Sequence, residues 1–380
     1  MKTGESGERG GAGEPACTAG HAGLGVHAGS GGVWRAIDAA ANRAAEAVRV
    51  VEDVVRFVLD DLELTRVAKD LRHALATQLA AAGLRSRAAM RDVQGDVGAG
   101  LEPSATLRRA SAADLVAANA ARAGQALRTL QECAAVVAPE AVAGFEQLRY
   151  RLYGLERRAL AATRARERLA GVNLCVLVDG RQDMPAFVRL IESLLDAGVR
   201  MLQIRDKHLP TPALAARAAR AVAVVRQRGG DDPAIVIVND RADVAVATGS
   251  AGVHTGEDDL PIALVRRVVG PDLLVGRTAH TLAEARAAVT EAADYLGVGP
   301  CFPSATKAFG TCASPDFLRA VADEVRLPVF AIGGISLESL DELVPLGISR
   351  VAVASAVTAA ADPAAAAAAL IARLRTLTSR

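Results

Sequence analysis

The chain lacks the features that mark secreted, disulfide-linked and zinc-binding proteins. Its five cysteines are odd in number, scattered and free of any CxxC pair, which argues against a disulfide framework and against structural zinc. Residues 1–32 are rich in glycine and lack the apolar centre of a signal peptide, so we interpret them as a disordered tail. These absences predict a protein of the reducing cytoplasm.

An excess of one charge and a long apolar run are also missing. The 44 basic side chains are balanced by 43 acidic ones, so no global attraction to nucleic acid or to an anionic membrane is expected. No run of eighteen apolar residues occurs, and the alanine-rich segment 360–377 is typical of an amphipathic helix rather than a membrane span. The expected partners are small molecules, and any phosphate must be bound by a local group of side chains.

The residue pattern divides the chain into two domains, as its length also suggests. Residues 33–165 carry apolar positions at helical spacing, which predicts an all-helical domain. Within it, NRAAEAVRVVED (42–53) aligns with ARAGQALRTLQE (121–132), and KDLRHAL (69–75) aligns with EQLRYRL (146–152). These matches predict an internal duplication, in which two related helical hairpins pack together.

Residues 166–380 contain short apolar strands that alternate with amphipathic helical segments. The predicted strands are VNLCVLV (172–178), RMLQI (200–204), AIVIV (234–238), GVH (252–254), LLVG (273–276), YLGVG (295–299), PVFAIG (328–333) and RVAVA (350–354). Eight strand-then-helix units in about 200 residues predict an α/β fold, a (β/α)8 TIM barrel. The alternative is an open doubly wound sheet, but GxGxxG is missing after the first strand.

The stretch MLQIRDK (201–207) alternates apolar and polar side chains. In a barrel strand, Leu202 and Ile204 then face the outer helices, while Gln203, Arg205 and Lys207 line the inner wall towards the C-terminal rim. An exposed edge strand with solvated cations is the alternative, but a closed barrel has no edge. The polar side chains therefore predict a ligand site at the barrel mouth.

Polar side chains also follow the third, fourth, fifth and sixth strands. Carboxylates and lysines that meet at one rim favour a magnesium and diphosphate site, because Mg²⁺ combines a few carboxylate oxygens with phosphate oxygens and water. Lysine and arginine supply charge and forked donors to the remaining phosphate oxygens. The candidates are Asn239, Asp240, Glu257, Asp258, Asp259, Arg277, Thr278, His280 and Lys307. His280 fits an acid–base role and a structural role in the loop equally well.

The last two strands carry a second phosphate signal. FAIGGIS and VAVASAV end strands seven and eight, where TIM barrels often hold a phosphate on backbone N–H groups. Gly333, Gly334, Ala354 and Ser355 are the candidates for this contact, because glycine lets the backbone approach a ligand closely. A plain tight turn is the alternative explanation for the glycine pair.

Six motifs, QIRDK, VNDRADVA, GVHTGEDDLP, GRTAHT, GVGPCFPSATK and AIGGI, resemble those of the thiamine phosphate synthase family. They occur in the family's order and at fitting spacings across about residues 170–378. The resemblance implies condensation of 4-amino-2-methyl-5-hydroxymethylpyrimidine diphosphate with 4-methyl-5-(2-phosphoethyl)thiazole. Thiamine phosphate and pyrophosphate are the implied products, and Mg²⁺ is the implied cofactor.

The resemblance also implies roles for the residues at matching positions. The pyrimidine diphosphate would be held by Gln203, Ile204, Arg205, Asp206, Lys207 and Asn239. Mg²⁺ would be bound by Asp240 and Asp259. The thiazole phosphate would be held by Ser304, Ala305, Thr306, Gly334, Ala354 and Ser355. Lys307 and Thr278 would reach the pyrophosphate and the pyrimidine, and Arg205, Lys207 and Lys307 would be catalytic. The chain departs from the family with Glu257 for Gln, Thr278 for Ser and Ser304 for Thr.

The helical domain resembles one that is fused ahead of this synthase in some bacteria. The resemblance implies phosphorylation of hydroxymethylpyrimidine phosphate to the diphosphate, with ATP as donor. The domain contains no P-loop, but Asn42, Glu46, Arg49 and Asp53 share one helix face. A phosphate and metal pocket would add Arg43, Arg72, Asp92 and Asp96.

Two other readings remain open. The charged helix face also fits salt bridges in a non-catalytic interaction module, which would scaffold the barrel or form a homo-oligomer. The barrel also fits a thiazole tautomerase, which needs neither diphosphate nor metal. Asp240, Asp259 and Lys307 argue against the tautomerase, since that reaction has no use for a metal-bound diphosphate.

Overall fold

The structure, a computed structural model, describes residues 31–84, 109–230, 233–303 and 312–378. The predictions made for residues 1–30, 92, 96 and 304–307 lie outside the described residues. Within the described ranges, no helix combines the length and apolar character that crossing a membrane requires.

The described part of the helical domain contains four long helices. These are α1 (Gly31–Asp53), α2 (Leu62–Ala81), α3 (Ala112–Val137) and α4 (Val142–Arg168). Local side chains explain two of the starts, because Asp61 accepts a hydrogen bond from Leu64 N (2.8 Å) and Ser111 from Asp114 N (3.1 Å). Such caps satisfy N–H groups that have no partner inside the helix. A π-helical turn, Val54–Val58, follows α1 directly.

The helices agree with the duplication seen in the sequence. The aligned segments fall on α1 and α3 and on α2 and α4, and α1 packs against α3. The aligned apolar positions are buried in both copies, namely Ala44, Ala47, Val48 and Val51 in α1 and Ala123, Ala126, Leu127 and Leu130 in α3. The Arg49–Asp53 ion pair has its counterpart in Arg128–Glu132. One hairpin design is therefore used twice.

The second domain is a closed barrel of eight parallel strands in sequence order, and β1 pairs with β8. The strands are β1 (Leu174–Val178), β2 (Met201–Ile204), β3 (Ile235–Asn239), β4 (Gly252–Thr255), β5 (Leu274–Ala279), β6 (Tyr295–Val298), β7 (Val329–Ile332) and β8 (Val351–Val353). The helices are α5 (Met184–Asp196), α6 (Thr211–Arg228), α7 (Ala242–Thr248), α8 (Ile262–Val269), α9 (Leu282–Thr290), α10 (Pro315–Glu324), α11 (Leu340–Leu343), α12 (Ser355–Thr358) and α13 (Pro363–Thr378). The predicted barrel is confirmed, and the open sheet is excluded.

Side chains alternate along the strands as the barrel requires. Leu202 and Ile204 belong to the core between strands and helices. Met201 belongs to a separate cluster inside the barrel, together with Cys175 and Phe330. Both faces of each strand are thus committed to packing, except where polar residues begin near the C-terminal ends.

The connection between the two domains closes the barrel floor. Leu169 and Val172, which directly follow α4, are buried in the interior cluster. Arginines at the end of α4 bind the barrel loops, with Arg168 Nη1 donating to Asp272 O (2.8 Å). In return, the barrel residue Arg326 donates through Nε to Asp60 O (3.2 Å) in the helical domain. The functional mouth therefore lies at the opposite end.

We expect Leu169→Ala to lower the free energy of unfolding of the barrel by about 2–5 kcal/mol, because it leaves a cavity in a packed interior. Leu264→Ala is the matched control, since Leu264 is 42% exposed on α8, and it should change the value by about 0.5 kcal/mol or less. Urea unfolding followed by circular dichroism measures both. Equal losses would contradict the floor role of Leu169.

Candidate active site

The C-terminal ends of the strands surround a cavity of about 310 Å³. Seven of the residues to which the family resemblance gives a role line it, namely Gln203, Arg205, Lys207, Asn239, Asp240, Asp259 and Thr278. They come from loops and strand ends that are up to 75 residues apart in the chain. The predicted meeting of amide, cationic and acidic groups at one rim is therefore observed among the described residues.

Two neighbouring residues of the QIRDK motif point elsewhere. Ile204 is fully buried against the helices, as strand alternation requires, so its side chain does not reach the cavity. Asp206 accepts backbone hydrogen bonds from Gly180 N (3.1 Å), His208 N (2.8 Å) and Leu209 N (3.2 Å). Burial alone would raise the pKa of Asp206, but these bonds outweigh it and lower the pKa. Asp206 thus organises the loop that presents its two cationic neighbours.

A left-handed turn follows β3 at Asp240, whose φ is 61°. This conformation is uncommon for residues other than glycine. Asp240 N donates to His254 O (2.8 Å), which ties the turn to β4. The Asp240 carboxylate then lies 3.8 Å from Lys207 Nζ. The turn therefore brings an acid beside a cation from the preceding loop.

Asp240 and Asp259 form a carboxylate pair. Partial burial, a hydrogen bond to Asp259 and the charge of Asp259 together raise the pKa of Asp240 to about 6. Lys207 and Arg205 act in the opposite direction. Asp259 itself is held by Gly256 N, which donates to Oδ2 at 2.6 Å. Two facing carboxylates whose charge is incompletely balanced suit a divalent cation.

Additional metal ligands are not clustered at this pair. Across the described ranges, no group of three or more His, Cys, Asp or Glu side chains is arranged to hold a metal ion. Mg²⁺ commonly uses one or two carboxylates and completes its shell with water and substrate phosphates. The donor set of Asp240 and Asp259 therefore fits Mg²⁺ together with a phosphorylated ligand.

The acidic loop after β4 is fastened by Arg277, one of the polar residues predicted to follow the fifth strand. Its guanidinium donates to Glu257 O (3.4 Å) and to Leu260 O (3.5 Å). Thr278, the next residue on β5, points into the cavity instead. The opposite directions of Arg277 and Thr278 follow from the motif GRTAHT, because consecutive strand residues take opposite faces.

His254 lines the cavity, although the sequence did not single it out. Its Nε2 lies 2.9 Å from Thr278 Oγ1, and its Nδ1 lies 3.2 Å from the hydroxyl of Tyr295. Burial lowers the pKa of His254 to about 4, against the opposing effect of Asp259, so the ring is neutral at neutral pH. The alternation of GVHT along β4 places His254 on the inner face, which was the available signal.

His280 has a structural contact. Its Nδ1 donates to Gly299 O at 2.5 Å, and its backbone N–H donates to Glu284 Oε2 at 2.8 Å. The ring therefore holds the loop after β6, although His280 also borders the cavity. Of the two roles left open by the sequence, these contacts favour the structural one.

The predicted phosphate cradle is only partly described. Strands β7 and β8 pair through Ala331 with Val351, so their following turns are neighbours. Gly333 borders the cavity, whereas a Cβ at Gly334 would lie 2.5 Å from Phe302 O. Close packing against the loop after β6 thus accounts for that glycine. Two other cradle candidates follow β8 and are not among the residues that line the cavity, namely Ala354 and Ser355.

Comparison with known proteins shows the family to which the chain belongs. Residues 174–357 match the family model described as thiamine monophosphate synthase, and residues 35–158 match the ThiD2 family. The thiamine-phosphate synthase of Rhodopirellula baltica is 38% identical over 333 residues, which cover 85% of this chain and 88% of that protein. The chain belongs to the thiamine-phosphate synthase family. The synthase of Gloeobacter violaceus is 39% identical over 331 residues, covering 87% of this chain and 94% of that protein.

The family match extends through both domains. An alignment of 333 residues is longer than the barrel, so it includes much of the helical domain. Among solved structures, thiamine phosphate pyrophosphorylase from Pyrococcus furiosus shows 31% identity and a TM-score of 0.48, and it covers 55% of this chain and 97% of its own. The resemblance inferred from the six motifs is confirmed.

The predicted polar face of the helical domain is engaged in local contacts. Arg49 pairs with Asp53 at 3.2 Å on an exposed surface. Arg72 pairs at 2.8 Å with Glu52, a buried residue that the sequence analysis did not single out. Asn42 donates to Asp38 at 3.4 Å. These contacts are compatible with a structural role as well as with part of a binding pocket.

We expect Asp206→Asn to lower kcat/KM for thiamine phosphate formation by about tenfold, because a preorganised cationic loop loses one of its anchors. The substituted amide keeps the size of the side chain but offers only one oxygen to three backbone donors. Steady-state kinetics measures the change. Asp316→Asn is the control, since this aspartate is exposed at the start of α10, and it should leave the rate unchanged. An unaltered rate for Asp206→Asn would remove its positioning role.

Proposed function

We propose that the barrel condenses hydroxymethylpyrimidine diphosphate with the thiazole phosphate and releases pyrophosphate. Family membership supports this activity, and one observation carries the assignment of the site. Arg205 and Lys207 line the same cavity as the carboxylate pair of Asp240 and Asp259. Cations for phosphate oxygens beside carboxylates for a metal are what a metal-bound diphosphate requires.

The cationic side chains act on the leaving group. Breaking the bond between the pyrimidine methylene and the diphosphate leaves negative charge on the departing oxygen. Arg205 and Lys207 are placed to stabilise that charge, and Lys307, which lies outside the described residues, is proposed to assist them. Because the charge grows in the transition state, these contacts accelerate the reaction and do more than bind substrate.

Asp240 and Asp259 are proposed to hold Mg²⁺. When bound, the ion supplies further positive charge to the diphosphate oxygens. Lys207 lies 3.8 Å from Asp240 and partly balances the carboxylate pair when the ion is absent. The family departure Glu257 borders the same cavity and adds negative charge near the pair.

The remaining polar residues are proposed to orient the two substrates. Gln203, Asn239 and Thr278 line the cavity and offer hydrogen bonds to the aminopyrimidine diphosphate. The thiazole phosphate is assigned to the turns after β7 and β8 and to the loop after β6, through Gly334, Ala354, Ser355, Ser304, Ala305 and Thr306. The aminopyrimidine ring shares the positive charge left on its methylene, and the thiazole nitrogen attacks there. No protein nucleophile or strong general base is required.

The thiazole tautomerase is the alternative activity for the barrel. It requires an acid–base residue near the thiazole but neither a diphosphate site nor a metal. Burial lowers the pKa of His254 to about 4, which makes its ring a weak base, and the ring of His280 holds a loop carbonyl. The charged residues around Asp240 have no role in that alternative, so we favour the synthase.

For the helical domain we propose phosphorylation of hydroxymethylpyrimidine phosphate, with ATP as the donor. The ThiD2 match over residues 35–158 is compatible with this role, and its product would be the substrate of the barrel. Asn42, Glu46, Arg43 and Arg72 are the proposed polar residues. A scaffolding or oligomer-forming module remains the competing proposal. A cytoplasmic location is proposed from the unpaired cysteines alone.

We expect Lys207→Ala and Asp240→Ala each to lower kcat for thiamine phosphate formation by about 10²-fold or more, because each removes charge needed in the transition state. Product formation from preformed diphosphate measures this, and circular dichroism checks the fold. Lys69→Ala, on the exposed surface of α2, serves as the matched lysine control and should retain the full rate. A normal rate in either site variant would refute the assignment of that residue.

A second experiment separates the activities of the two domains. The full chain is supplied with hydroxymethylpyrimidine phosphate, ATP, Mg²⁺ and thiazole phosphate, and thiamine phosphate is measured. We expect product, since the helical domain would make the diphosphate that the barrel uses. Product that forms only when the preformed diphosphate is supplied, and not from hydroxymethylpyrimidine phosphate and ATP, would disprove the kinase role. Interconversion of thiazole isomers without any thiamine phosphate would favour the tautomerase.

A further inference from the structure

A short chain of hydrogen-bonding groups runs from the barrel interior to the cavity. It begins at Tyr295 on β6, passes through the ring of His254 on β4 and ends at Thr278 on β5. Tyr295 is 2% exposed and His254 is 7% exposed, while Thr278 borders the cavity. The two links measure 3.2 and 2.9 Å. Thr278 and one side of the His254 ring border the cavity, whereas Tyr295 does not.

The barrel makes room for this chain with two glycines. A Cβ at Gly276 would lie 2.5 Å from His254 Nδ1 and 2.2 Å from Tyr295 Cζ. A Cβ at Gly297 would lie 3.2 Å from His254 Cε1. Inner barrel positions are normally filled by branched apolar side chains. Here two of them are left empty so that two polar rings fit inside.

The chain has two internally consistent hydrogen-bond directions, because neutral imidazole has one N–H and one acceptor nitrogen. In the first, Tyr295 donates to His254 Nδ1, and His254 Nε2–H donates to Thr278 Oγ1. In the second, every bond is reversed, so Thr278 donates to Nε2 and Nδ1–H donates to the Tyr295 oxygen. The two directions differ in which hydroxyl proton, that of Thr278 or that of Tyr295, has no acceptor within the chain.

The surroundings of Tyr295 decide between them. Its hydroxyl has a single hydrogen-bond partner among the described residues, His254, and it lies in the apolar interior cluster with Phe330. The second direction would leave its proton buried without an acceptor, which is disfavoured by roughly tenfold or more. The first direction leaves over the proton of Thr278, which faces the cavity. Both directions require a neutral ring, which the burial of His254 in the barrel interior favours.

We propose that Tyr295 and His254 act as positioning residues that fix the Thr278 hydroxyl as a hydrogen-bond donor to an acceptor atom of the pyrimidine diphosphate. The identity of that ligand rests on the proposed function. The direction of the hydrogen bonds does not. A threonine hydroxyl alone can rotate and serve either as donor or as acceptor, whereas a hydroxyl that already accepts from His254 offers its proton to the cavity.

This arrangement also gives the serine-to-threonine departure at Thr278 a physical reading. The hydroxyl is what the chain requires, and the additional methyl group restricts its rotation. A donor that is oriented before the ligand arrives costs no reorganisation during the reaction. Tyr295, which does not border the cavity, therefore contributes to catalysis through His254 and the orientation of Thr278.

The first test is the tautomer of His254 in the full chain. Nitrogen-15 NMR of histidine-labelled protein distinguishes a proton on Nε2 from one on Nδ1, and His254→Gln assigns the signal among the six histidines. We expect the Nε2–H form in the wild type and a mixture of tautomers in Tyr295→Phe. A wild-type ring with its proton on Nδ1, or an unchanged tautomer in Tyr295→Phe, would overturn the proposal. This readout is independent of enzymatic activity.

The second test is a double-mutant cycle on thiamine phosphate formation. We expect Tyr295→Phe to lower kcat/KM for the pyrimidine diphosphate by about three- to tenfold, and by less than about twofold in the Thr278→Val background. Thr278→Ser should retain the effect of Tyr295→Phe, since it retains the hydroxyl. Losses that multiply in the Thr278→Val background would show a merely structural role for Tyr295 and overturn the proposal.

The control is Tyr150→Phe, which removes the same atom from a tyrosine that is 62% exposed on α4, and it should leave kcat/KM unchanged. Failure of the proposed function can be distinguished from failure of the hydrogen-bond proposal. A wild-type chain that forms no thiamine phosphate would refute the proposed function, while its His254 tautomer would still decide the hydrogen-bond direction.

Discussion

Pairing of β1 with β8 is the interaction on which the rest of the barrel depends. Closure removes every free strand edge and gives each strand an inner and an outer face. Outer positions such as Leu202 then have to pack against helices, and inner positions fill the interior. Polar groups can be tolerated inside only near the open end of the barrel. The ligand cavity occupies this end, and its members converge there although they are distant in sequence.

The faces of the strands could be predicted from the sequence, whereas the partners of individual side chains could not. Alternation in MLQIRDK was sufficient to place Gln203 and Arg205 in the cavity, because strand geometry is local. The role of Asp206 depends on Gly180, which belongs to another strand's loop. The contact between His254 and Tyr295 joins β4 to β6 across the interior. Such pairings depend on the register of non-adjacent strands, which a residue pattern does not contain.

Acidic and basic side chains in the cavity partly offset each other's charge. Asp259 raises the pKa of Asp240, while Lys207 and Arg205 lower it. A diphosphate with a divalent cation would bring both signs of charge at once and satisfy each group with a partner of opposite sign. The loops that carry these residues are fastened by backbone hydrogen bonds, so the charges are held apart at little further cost on ligand binding.

The continuation of α4 into the barrel floor has a consequence for how the two domains are related. Leu169 and Val172 belong by sequence to the connection, yet they are enclosed by the strands. Arg166 Nη1, two residues before the end of α4, donates to Leu59 O in the helical domain at 3.0 Å. The junction is thus a rigid connection and not a flexible linker. A swinging movement about this junction would first have to empty the barrel floor, so it cannot carry a compound from one domain to the other.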